Sequence, residues 1–219
     1  MQTQELIARL AADRRPVRRL KPPWLRALVW LAIALPYVAA VVWGKLAMVD
    51  VMQVLADPRF VIEQTATLAT ALAAAIAAFC SVIPGFDRRV LLLPLPPLAL
   101  WLASVGHGCL QDWLQLGAEG LALRPDWECL PYAAAIGIVP ALAMVAMLRR
   151  GAPLAPRLSL ALGALAVAAT GNFGLQVFHL RDASIMVLLW HLGSVTLLSV
   201  LAGWAGRRVL ARRHAAPVR

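Results

Sequence analysis

The chain has 219 residues, 61% of them hydrophobic and 15% charged, with a mean hydropathy of +0.74. A soluble domain carries roughly 45–50% apolar and about 25% charged residues, so this composition points to an integral membrane protein. Three cysteines exclude a disulfide-dense scaffold, and the net charge of +10 has to be read from its distribution, since basic residues flank membrane helices as readily as they contact nucleic acid.

Residues 1–23 form a polar and basic segment, MQTQELIARLAADRRPVRRLKPP. A secretory signal would place its apolar core here and follow it with a small-residue cleavage site, so the first apolar run is expected to stay as an anchor. Thr3 can cap a short helix that Pro16 should end, and Leu6, Ile7 and Leu10 fall on one stripe of it. A helix this short is not stable alone and should fold on a surface. The stripe, with Arg14 and Arg15 in the basic run behind it, suits either anionic membrane lipid or an acidic protein partner.

A membrane-spanning helix needs about 20 mostly apolar residues, because hydrocarbon offers no partner to an unpaired backbone group. Six stretches qualify, at Trp24–Trp43, Phe60–Ile83, Val90–Cys109, Trp127–Leu148, Pro156–Phe178 and Ile185–Gly206. They predict an all-α polytopic helix bundle over residues 24–206, followed by a basic tail at 207–219. Pro94, Pro96 and Pro97 predict an irregular start to the third crossing. The Ala and Gly residues of the second and fifth suit close helix packing. The longest connection on the acidic side, LQDWLQLGAEGLALRPDWE, is expected to lie in the interface with Trp113 and Trp127 as anchors.

Six crossings put 17 of the 21 Lys and Arg on the side of the two termini, leaving only Lys45, Arg59, Arg124 and Arg181 opposite. Basic residues stay in the cytoplasm, so both termini are expected there. That flanking role accounts for the net charge without a nucleic-acid surface, and no direct nucleic-acid contact is expected.

Polar groups at membrane depth are costly and mark function, and few are present. Glu63 can pair with Arg59 or reach toward water, while Asn172, Gln176 and His191 suit interhelical hydrogen bonds. No P-loop, HExxH or GxSxG element occurs, so neither an enzyme nor a cofactor is expected. Cys109 ends the third crossing and Cys129 begins the fourth at the same level, with His107 two residues before Cys109. An antiparallel pair would bring these groups together, leaving open a disulfide, a Cys/His metal site or unpaired thiols. Cys80 reads as packing.

Five segments in order, TQELIARLAADRRPVRRLKPP, LADPRFVIEQTATLATALAA, PLPPLALWLASVGHGCLQDW, GLALRPDWECL and LRRGAPLAPRLSLALGALA, resemble the NrsF family, over about Thr3 to Trp204. These are negative regulators of an extracytoplasmic-function sigma factor. The resemblance implies an inner-membrane anti-sigma factor with six crossings. Its cytoplasmic face would hold the sigma factor until an envelope signal, such as a metal ion or an oxidant, releases it. It also implies a sensor in which Cys129, within PDWEC, is one of two outward-facing cysteines. The second should follow a His after the fifth crossing. In FHLRDAS, His179 is kept while Leu180 stands at the cysteine position, which leaves Cys109, His107 or His179 as substitutes. The competing reading from the residues is a small transporter or channel for a metal or apolar solute. It would need a polar path through the bundle.

Overall fold

The structure, a computed structural model, describes residues 3–12, 20–46, 55–117, 129–151 and 155–176, together with helical positions at 193, 197, 200, 201 and 204. Every regular element among them is helical: α1 (Thr3–Ala12), α2 (Pro23–Leu46), α3 (Pro58–Cys80), a 3-10 turn at Arg88–Leu92, α4 (Leu95–Leu116), α5 (Cys129–Leu148) and α6 (Pro156–Leu175). Five helical stretches are long and apolar enough to cross a membrane, at Pro23–Trp43, Pro58–Cys80, Arg88–Gln115, Pro131–Leu148 and Pro156–Leu175. They correspond to the first five predicted crossings. The sixth, with His191, falls almost entirely outside the described residues.

α3 and α6 form the centre of the bundle and share its most extensive contact. Their composition explains why. On α3, Ala71, Ala73, Ala74, Ala75, Ala77 and Ala78 are all buried, and on α6 Gly163, Ala166 and Ala169 are. Small side chains let two backbones approach closely, and between apolar helices in lipid this packing replaces the hydrophobic drive that water would supply. A Cβ on Gly163 would touch Met144 Cγ at 3.0 Å, and one on Gly174 would press on Val38 Cγ1 at 2.5 Å, so neighbouring helices fill the room these glycines leave. Phe79, Trp30, Met144 and Leu148 close the core toward one end. Val38, Val42, Ile136 and Leu175 close it toward the other.

α2 packs on α3, α5 and α6. Proline at position 140 removes a backbone donor from the interior of α5. Two side chains of α2 donate to α5 carbonyls, Trp30 Nε1 to that of Pro140 itself at 2.9 Å and Tyr37 Oη to that of Ala135, five residues earlier, at 2.7 Å. The side-chain contacts alternate as an up-and-down bundle requires. The start of α2 meets the end of α5, through Arg26 and Met147, and the end of α3 meets the start of α6, through Ser81 and Ser159.

Two expectations about the third crossing change. Its proline-rich start is irregular as read, a 3-10 turn at Arg88–Leu92 followed by α-helix from Leu95. The helix then continues to Leu116, so Cys109 lies about two turns inside it rather than at its end. Gln111 and Asp112 end the apolar run without ending the helix, because backbone hydrogen bonds persist where the side chains turn polar. Nor do the third and fourth crossings share extensive packing among the described residues: α4 packs on α3, whereas α5 packs on α2 and α6.

Candidate functional site

The polar side chains inside the bundle gather at its two ends. At the first, α3 begins at an N-cap in which Asp57 accepts from the Arg59 backbone N at 2.9 Å, with Pro58 at the first helical position. That start sets Arg59 and Glu63 four residues apart on one helix face, and Arg59 Nε lies 3.1 Å from Glu63 Oε1. Ser104 Oγ, from α4, donates to the same carboxylate oxygen at 3.3 Å, and Gln176 Nε2, at the end of α6, donates to Oε2 at 3.3 Å. Gln64 Nε2 donates to Phe173 O at 3.3 Å. One carboxylate thus joins three helices.

Gly108 of α4 completes the arrangement. A Cβ there would overlap the guanidinium of Arg59, so the absence of a side chain lets α4 lie against it. Gly108 sits between His107, which is exposed, and Cys109, which is half-buried with a free thiol. Two of the four expected sensor residues thus flank, along α4, the glycine that lies against Arg59. Cys129 opens α5, with its side chain outside the described set, and His179 lies outside the described residues altogether. No group of three or more His, Cys, Asp or Glu side chains that could hold a metal occurs among the described residues.

The other end carries Arg88, Arg89, Arg149, Arg150 and Arg157. Arg26 is 5% exposed; its Nη2 donates to Met147 O at 2.6 Å and its guanidinium stacks 4.4 Å from the centroid of the Phe79 ring. Beside it, a cavity of about 480 Å³ is lined by Cys80, Ser81, Phe86, Leu91 and Leu158, with Asp87 and Arg88 also lining it. Ser81 Oγ bonds Ser159 Oγ at 2.8 Å in its wall. Cys80 is buried, as its packing role requires.

Of the expected partner-binding residues, Ile7 is 60% exposed on α1. The side chains of Leu6 and Leu10, and all of Arg14 and Arg15, lie outside the described set. Sequence reasoning treated Arg26 as an ordinary flanking charge and Glu63, Asn172 and Gln176 as separate polar residues. The signal available was their common depth: Glu63 near the start of one crossing and Gln176 near the end of another fall at one level once directions alternate.

A family model described as a negative regulator of sigma F, NrsF, matches residues 10–211. No curated protein and no solved structure matches the chain.

Proposed function

Since the chain belongs to the NrsF family of negative regulators of sigma F, we propose that it is a multi-pass inner-membrane anti-sigma factor acting on an extracytoplasmic-function sigma factor. The family match over residues 10–211 carries this reading. In it both termini and the arginine-rich end face the cytoplasm, as the partition of Lys and Arg favours, and the Glu63 end faces outward. The apolar stripe Leu6, Ile7 and Leu10, followed by Arg14 and Arg15, binds the sigma factor. The protein inhibits by sequestration and makes no direct contact with DNA.

Release follows an envelope stress, a metal ion or an oxidant, received by Cys109, Cys129, His107 and His179. A thiolate is the form that binds a soft metal or is oxidised. At Cys109 the change would act on the neighbouring contact of Gly108 with Arg59, and so on the packing of α4 against α3. Coupling between the two faces requires two arrangements of the bundle that signal and sigma factor bind unequally. The transporter reading finds little support: between the polar ends, Thr67, Thr70 and Thr170 donate to carbonyls of their own helices, and the hydrophobic cluster around them is built of apolar side chains.

Affinity capture of the full chain in detergent, with the candidate sigma factor co-expressed, tests the reading. A stoichiometric complex that inhibits sigma-dependent transcription is expected. Failure to retain the sigma factor, with promoter activity unchanged on deletion of the gene, would reject it.

A further inference from the structure

Gln64, Asn172 and Gln176 are 8%, 3% and 7% exposed. Among the described residues, the side-chain carbonyl oxygen of each is buried without a hydrogen-bond partner, as is Asn172 Nδ2. Buried polar atoms in folded proteins are nearly always bonded, so three such oxygens in one seam between α3 and α6 call for a common partner. Gln176 touches the Glu63 carboxylate through Nε2 at 3.3 Å, Asn172 lies one turn before Gln176 on the same face of α6, and Gln64, next to Glu63 in the chain, reaches α6 through its Nε2 at Phe173 O. Ser104 adds a hydroxyl 3.3 Å from the other carboxylate oxygen.

The oxygens this seam offers are one carboxylate, three unpartnered amide carbonyls and a hydroxyl. Oxygen donors without sulfur or imidazole suit a hard divalent cation rather than a thiophilic one. The present counter-charge of Glu63 is Arg59, whose side chain is 36% exposed against 13% for the carboxylate. The guanidinium therefore lies on the water side of the pair, where it can swing outward without crossing the core.

We propose that the seam formed by Glu63, Gln64, Ser104, Asn172 and Gln176 binds a hard divalent cation of the Ca²⁺ or Mg²⁺ class, with Arg59 as its built-in competitor. On binding, the cation takes over the carboxylate, Arg59 moves to water, and the Gln176 amide turns so that its oxygen faces the ion. No covalent bond changes. The ion then ties α3, α4 and α6 to a single charge. The inference is independent of the anti-sigma reading, because binding is measured on this chain alone.

The purified full-length chain in phosphatidylcholine nanodiscs is titrated with Tb³⁺, a hard-cation probe that buried tryptophan excites; Trp101 lies one turn before Ser104 on α4. Saturable sensitised emission that Ca²⁺ or Mg²⁺ displaces is expected. Glu63→Gln should weaken it by at least about tenfold and Asn172→Ala by less, as loss of metal-site groups does. Arg59→Gln should strengthen it severalfold, an effect that a merely structural ion pair would not produce. Emission indifferent to Glu63→Gln would overturn the proposal and leave an ordered water as the partner of the three oxygens. Should Glu63→Gln fail to fold, Arg59→Gln decides alone, and binding equal to or weaker than wild type overturns the proposal.

Discussion

Replacing Gly108 by alanine tests whether the Arg59–Glu63 cluster holds α4 against α3. The new Cβ would occupy the space of the Arg59 guanidinium, which must leave or push α4 away. If it leaves, Glu63 loses the 3.1 Å contact with Nε and keeps only the two 3.3 Å contacts from Ser104 and Gln176. The ion pair itself is half in water and contributes only about 0.3–0.5 kcal/mol. The larger part is the carboxylate left under-bonded at 13% exposure, for which about 1–3 kcal/mol is usual. Gly106 supplies the control, since a Cβ there meets nothing within 4 Å and shares the same helix. Both variants gain the helix propensity of alanine, so it cancels between them. Gly108→Ala should therefore be less stable than Gly106→Ala by about 1–3 kcal/mol. At roughly 2–4 °C per kcal/mol for a chain of this size, thermal unfolding in detergent followed by circular dichroism should show Tm values several degrees apart. Equal Tm values would refute the argument that Gly108 is needed to seat Arg59.

Alkaline phosphatase fusions after Asp50, Glu119 and Asp182 should be active and those after Arg89 and Gly151 inactive; any reversal removes the six-crossing arrangement with cytoplasmic termini. Replacing Leu6, Ile7 and Leu10 together by Asp should turn on the sigma-dependent promoter at unchanged protein level in the membrane, since each apolar side chain buried at an interface contributes roughly 1–3 kcal/mol. Unchanged repression would move the docking surface to the loops around Arg88 and Arg149. Cys129→Ser should blunt promoter induction by cadmium while leaving basal repression intact, Cys109→Ser should blunt it equally or less, and Leu180→Cys should strengthen it. A dose–response curve identical in wild type and in the Cys109/Cys129 double serine variant would reject a thiol sensor.

Periodicity and hydropathy were enough to place the first five crossings, because lipid demands long apolar helices and tolerates few charges inside them. Pro94, Pro96 and Pro97 also announced the irregular entrance to the third, since a proline lacks the donor that a regular first turn would use. The Ala and Gly of α3 and α6 announced close packing, and those two helices are the pair that packs most extensively. What hydropathy could not announce was neighbourhood. Chain order suggested that α4 and α5 adjoin, yet among the described residues α4 leans on α3 and α5 on α2 and α6. Which helices touch depends on the matching of small-residue faces across the bundle, a property of pairs that no single segment displays. The same holds for the Glu63 cluster. Glu63 and Gln176 each looked alone like a tolerable polar residue near a helix end, and Ser104 gave no signal. They became one site only because α3, α4 and α6 bring residues far apart in sequence to one depth, where a buried carboxylate must collect its partners from whichever helices surround it.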